Sequence, residues 1–277
     1  ILAGYSFEQS PQQHIFELPS KRVAYLYLDH FIPGTAHSLV PIFAAFRSQG
    51  ATELIVDLRY NAGGQVAEAA GLSALICGLP YASPFIYYQG NKNAGRSLES
   101  IGDAAGADNS LHYEELLQHS LGLKRVFILN SKATASAAEV VINNLKPYME
   151  VVLIGETTMG KDMASFTIAD QNNPKTIAWE INPLIYKLYN AQQQGDYQHG
   201  IAANIPVDEM QSLPLKPIAD PDDPLIACAL QLLRGSAKIQ TQHSASASAY
   251  TSRGINYLYY DTHIARAQHS RVLINKK

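Results

Sequence analysis

An α/β layered fold with a mixed sheet follows from three features of these 277 residues. Short apolar, β-branched runs recur at 22–28, 53–58, 125–130, 151–156, 165–170 and 176–181, and each reads as a strand. Between several of them the apolar residues fall three and four apart, which is helical spacing. Strands alternating with helices bury their faces best in α/β layers. The later strands, from 151 to 181, have no helix between them, so part of the sheet is expected to be antiparallel or folded over.

Residues 1–20 form a lead-in, and "RVAYLYL" is the opening strand. In "SLVPIFAAFRSQG" (38–50), Val40, Phe43, Ala44 and Phe46 lie to one side of a helix that Gly50 terminates. The strand "ELIVDL" runs into "DLRYNAGGQ", and "QVAEAAGLSALICG" is the next helix. Residues 80–121, rich in Gly, Asn, Ser and Tyr, read as an irregular insertion with one short helix near "YEELLQ", of the kind that often serves as a lid. After "RVFILN" a helix begins near Ser136, where Ala137, Val140, Val141, Leu145 and Tyr148 share a face. A last core helix lies in "DPDDPLIACALQLLRG". Residues 236–277 then form a small polar linker and a tail, "INYLYYDTHIARAQHSRVLINKK", with enough Tyr, Ile and Leu to dock. One domain over 21–235 is the expectation.

Composition narrows the function classes. Hydrophobic residues make up 47% and charged ones 16%, and no apolar stretch approaches the roughly 20 residues that span a bilayer. The net charge is -3 without runs of either sign, which excludes the basic footprint of a nucleic-acid binder. The chain starts at Ile1 without a basic and apolar leader, as a processed protein or a piece of a longer one would. Cys77 and Cys228 sit in apolar settings that favour buried thiols over metal ligands, and whether they pair stays open. No metal or other cofactor is expected.

Three segments carry chemistry. Ser136 opens a helix, where the next backbone N–H has no intrahelical partner and the dipole favours an oxyanion. The same Ser-Ala-Ala-Glu139 run also reads as a capping box, which is far commoner than a nucleophile. Lys161, in "GETTMGKDMASF", is flanked by Met159, Met163 and Phe166. It could act as a base if burial disfavoured its ammonium, moving its pKa from about 10.4 toward about 7 to 8 at a cost of about 4 kcal/mol. The alternative is a loop lysine with its head in water. In "DLRYNAGGQ", Gly63 and Gly64 permit a tight turn whose N–H groups face a substrate. It is not a phosphate loop, since the G-x-x-x-x-G-K-[ST] pattern is absent. Asp57 and Arg59 read equally well as a structural pair closing the strand.

In this order, "VDLRYNAGG", "TASAAE" and "GETTMGK" resemble the C-terminal processing peptidases, or tail-specific proteases, whose segments read close to DLRxNPGG, TASASE and GExTxGK. The separation of Ser136 and Lys161, 25 residues, fits that family too. "VAYLYLDHF", "HGIAANIPVDE" and "DPLIACALQLL" extend the likeness over about residues 20–235. The resemblance implies a ClpP/crotonase-like core of stacked strand-strand-helix units and a serine peptidase without cofactor. It implies Ser136 as nucleophile, Lys161 as general base and then acid, and an oxyanion hole from Ala137 with Gly63 or Gly64. Glu139 would support the site through hydrogen bonds.

The sequence departs from the family at Ser165, where many members carry a glutamine thought to orient the lysine, and at Ala138 and Ala62. His30 is the one histidine placed to suggest the alternative His-containing site of tricorn-type relatives, though a strand-end histidine is more often structural. The resemblance further implies a polypeptide substrate bound in extended form and work in a bacterial envelope or periplasm. The family's peptide-binding PDZ domain is not seen in these 277 residues, so it is expected upstream or absent. The sequence leaves the oligomeric state open. The alternatives are a weak or inactive relative that binds peptides or small apolar ligands in the same cleft, and a crotonase-like acyl-CoA enzyme, for which no basic nucleotide site stands out.

Overall fold

The structure, a computed structural model, describes residues 10–106, 113–172 and 176–235. The chain starts with β1 (Gln12–Leu18) and β2 (Lys21–Tyr27), an antiparallel pair, and then α1 (Thr35–Ser48), β3 (Glu53–Asp57) and α2 (Val66–Cys77). Next come β4 (Pro84–Gln89), β5 (Arg96–Ser100), α3 (Ile101–Ala105) and α4 (Tyr113–His119). β6 (Arg125–Asn130), α5 (Ala137–Leu145) and β7 (Glu150–Gly155) complete the central unit. The last elements are β8 (Met163–Ser165), β9 (Ile168–Ala169), β10 (Glu180–Ile181), β11 (Leu184–Asn190), β12 (Ile205–Pro206) and α6 (Pro224–Leu233).

Six strands form the main sheet in the order β1-β2-β3-β6-β7-β12, and every pairing except β1 with β2 is parallel. Both faces are covered, which is why these strands read as unbroken apolar runs rather than alternating ones. Ala24, Leu26, Leu54, Val56, Val126 and Ile128 pack with α1, α2 and α5 on one face. Their neighbours Val23, Tyr25, Ile55, Phe127 and Leu129 pack under α6 on the other, as the two-residue pleat requires. α5 is buried along its whole length and α2 almost so.

The expected mixed sheet is therefore present. Residues 80–121, however, are not an irregular insertion: β4 and β5 form a hairpin, and β4 also pairs with β11, giving a second, antiparallel sheet ordered β5-β4-β11-β8. The expected short helix is α4. The strands read at 165–170 and 176–181 shrink to the two-residue pair β9 and β10, with Ile168 opposite Ile181. Asp170, just past β9, accepts from the N–H groups of Asn172, Thr176 and Ile177 instead of continuing the ladder. Cys77 and Cys228 are free and only partly buried, so no disulfide joins them. The tail call at 236–277 lies outside the described residues.

Candidate active site

β3, β6 and β7 are adjacent and parallel, so the loops leaving their carboxyl ends converge. Those loops carry Gly63 and Gly64, Ser136, and Lys161 respectively, and this topology brings together three segments far apart in sequence. Backbone hydrogen bonds fasten them: Ala135 N–H donates to Asn61 O at 3.0 Å, and Met159 N–H to Thr134 O at 2.9 Å. Thr134 Oγ1 donates to Leu58 O at 2.8 Å.

Ser136 sits at the head of α5 with φ 59° and ψ -119°, a conformation that costs a non-glycine residue about 1–3 kcal/mol. Its side chain is fully buried and its Oγ has no hydrogen-bond partner. Ser136 and Glu139 have the placement of a capping box, but only one of its two reciprocal contacts is a hydrogen bond: Ser136 N–H donates to the Glu139 carboxylate at 2.8 Å, while the hydroxyl makes none.

Gly63 lies against this serine. A Cβ on it would stand 2.6 Å from Ser136 Cβ and 2.9 Å from Ala137 N, and its φ of 102° favours glycine as well. Gly63 N–H donates to Asn61 Oδ1 at 2.8 Å, whereas neither Gly64 N–H nor Ala137 N–H has an acceptor among the described residues. Gly64 is fixed by Phe31, whose carbonyl oxygen would lie 2.0 Å from an added Cβ. The two unspent amides, Ala137 and Gly64, are thus the ones free to bind an oxyanion.

Glu139 is the hub. Its Oε1 accepts from Thr158 Oγ1 at 2.5 Å and Gly160 N–H at 2.7 Å; its Oε2 accepts from Ser136 N–H and, at 2.7 Å, from Lys161 N–H. Burial pushes this carboxyl above the ordinary glutamate value, and the four donors pull it back. Three of the four partners are backbone N–H groups that can only donate, so the acceptor oxygens of Glu139 are what this pocket is built around. One side chain thereby ties the serine's backbone to the lysine's. Lys161 itself is half-buried; burial lowers its amine below the ordinary lysine value, and the Glu139 charge partly offsets that.

Asp57 and Arg59 belong behind the site. Arg59 pairs with Asp57 at 2.8 Å, with Asp223 at 2.7 Å and with Glu209 at 2.9 Å, and Tyr25 donates to Asp57 at 2.7 Å. Burial alone would lower Arg59, but the Asp57 and Asp223 carboxylates hold its guanidinium above the ordinary value. The structural alternative for the pair is the observed one. It still serves the serine loop, because the Arg59 carbonyl accepts from Ser131 Oγ. Ser165 is buried in β8, opposite Leu184 of β11. His30 is half-exposed and pairs through Nδ1 with Asp29.

Asn61 and Thr158 were not singled out by sequence, yet they orient the glycine turn and Glu139. Asn61 could have been read from "YNAGG", where an Asn before glycines commonly hydrogen-bonds two residues on. Thr158 gave no signal, since its partner is 19 residues away.

A buried, strained serine with an unspent hydroxyl, the unspent Ala137 amide next to it and the Gly63-Gly64 turn packed against it, can serve as the nucleophile of a serine hydrolase. The comparisons agree: residues 22–207 match Peptidase family S41, and the chain belongs to that family. It is 25% identical over 240 residues to the carboxyl-terminal-processing protease of Synechocystis sp., covering 86% of this chain and 50% of that protein. To the tail-specific protease of Haemophilus influenzae it is 24% identical over 211 residues, covering 73% and 27%. A solved structure of a putative S41 protease from Bacteroides fragilis superposes with a TM-score of 0.69 at 26% identity, covering 82% of this chain and 58% of that one. The chain thus spans half or less of the length of these two curated relatives. Among the described residues no helix is long and apolar enough to cross a membrane.

Proposed function

We propose that this chain is the catalytic region of a serine endopeptidase of the C-terminal processing type. The observation that carries the reading is the buried Ser136 at the head of α5, beside the unspent Ala137 amide, against the Gly63-Gly64 turn, and tied through Glu139 to the Lys161 backbone; Ser136 Oγ makes no hydrogen bond in this structure, so the Lys161 amine must close on it when substrate binds. Neutral Lys161 takes the Ser136 proton as Oγ attacks a peptide carbonyl, and the two amides receive the oxyanion. The resulting ammonium returns its proton to the departing amine, leaving an acyl-enzyme that water hydrolyses. The lowered Lys161 pKa supports its role as base, and Glu139 holds serine and lysine backbones in one frame. The substrate is a polypeptide bound in extended form through main-chain hydrogen bonds. Its curated relatives are processing proteases of bacteria, and the reading extends to work in a bacterial cell envelope.

A second reading, a weakly active relative that binds peptides in this cleft, is favoured by the complete burial of Ser136. Digestion of an unfolded protein with an apolar C-terminus separates the two. Cleavage by the native chain, abolished in Ser136→Ala and Lys161→Ala, supports the peptidase; equal residual cleavage in all three rejects it.

A further inference from the structure

Among the described residues, the stretch that follows Lys161 exposes a run of apolar side chains. Met163, Ile168, Ile177, Trp179, Ile181 and Leu184 are all at least one-third exposed within 22 residues, Trp179 most of all at 63%. Ile168 and Ile181 are cross-strand partners in β9 and β10, and the exposed Trp179 lies two residues before Ile181. A surface this apolar at one place marks an interaction site.

We propose that residues 255–260 of this same chain, Ile255-Asn256-Tyr257-Leu258-Tyr259-Tyr260, dock on this face. Three observations name that occupant. The described chain ends at Gly235, just past α6, and 42 residues follow. Ile255 lies 20 residues beyond Gly235, a contour of up to about 70 Å, enough to cross a domain of this size. Residues 236–277 also carry six of the basic residues and only one of the acidic ones, so a cationic tail meets a body that is strongly acidic without it. The segment offers three tyrosines, a leucine and an isoleucine, the amphipathic aromatic chemistry suited to an apolar face with a wet rim. The inference does not depend on the proposed peptidase activity.

Trp179 is the only tryptophan, so its fluorescence reads this face directly. In the full chain the indole emission should be blue-shifted relative to the full-length variant Tyr257→Ser/Leu258→Ser/Tyr259→Ser. Acrylamide quenching should be at least about twofold weaker, as expected when an exposed ring is covered. A synthetic peptide of residues 253–264 added to the variant should restore the blue shift, and unchanged urea midpoints would show that the core is intact. Identical emission and quenching in native chain and variant would overturn the proposal. So would a blue shift that grows with protein concentration and ignores the tail substitutions, which would assign the face to a second copy.

Discussion

Replacing Glu139 by Gln changes one atom and should break the site's frame. Both carboxylate oxygens accept from two donors, so the amide nitrogen must face donors whichever way it points. Placed at Oε2 it orphans the N–H groups of Ser136 and Lys161; placed at Oε1 it orphans Gly160 N–H, while Thr158 Oγ1 can turn to accept. The second orientation is the cheaper. It leaves one buried N–H unsatisfied, at about 1–3 kcal/mol, and converts the two remaining charge-assisted bonds to neutral ones at about 1 kcal/mol each. The sum, about 3–5 kcal/mol, is a large share of the roughly 5–15 kcal/mol that holds a domain together. Urea denaturation followed by far-UV circular dichroism measures it, and peptide cleavage at a temperature where the variant is still folded should also fall. A loss under about 1 kcal/mol would refute the four-donor account, because no neutral side chain satisfies those groups.

Other outcomes follow from neighbouring features. Gly63→Ala puts a methyl 2.6 Å from Ser136 Cβ and should cut kcat/KM by at least about 100-fold, checked by cleavage kinetics on folded protein. Asp223→Ala removes the α6 cap on Leu225 and Ile226 as well as an Arg59 partner, and should cost about 3–5 kcal/mol in denaturant melts. Because the uncharged amine is the active form, kcat/KM should rise with pH through the Lys161 pKa, at a midpoint below that of an ordinary lysine. In Glu139→Ala the carboxylate that favours the ammonium is gone, so any residual activity should have its midpoint at still lower pH; a shift to higher pH would contradict the assignment.

Much of this was legible in the sequence because local rules and tertiary packing agreed. The parallel strands buried on both faces gave continuous apolar runs at 53–58 and 125–130, and α5 showed its face through Val140, Val141 and Leu145. The convergence of Ser136, Lys161 and the Gly63-Gly64 turn was legible through motif order. The hairpin of β4 and β5 was not, since Gly90, Gly95 and neighbouring Asn residues read as loop; β5 pairs only with β4, and β4 is held on its other edge by β11, about a hundred residues on. β1 was missed similarly: it alternates weakly and is held by β2. The capping-box pattern at Ser136 was correctly seen but has a second use, because the positive φ that frees the hydroxyl is a conformational fact that residue types do not encode. Glu139's reach to Thr158, Gly160 and Lys161 depends on how β7's loop folds back, beyond the range of spacing rules.

The central claim, that Ser136 is a nucleophile activated by Lys161, is tested most directly by intact-mass measurement after exposure to a fluorophosphonate, with the adduct mapped by peptide fragmentation. One adduct, located on Ser136 and formed at least about 100-fold more slowly in folded Lys161→Met, is the expected result. No adduct on the folded native chain, or labelling of Ser136 at an unchanged rate without the lysine, would contradict it.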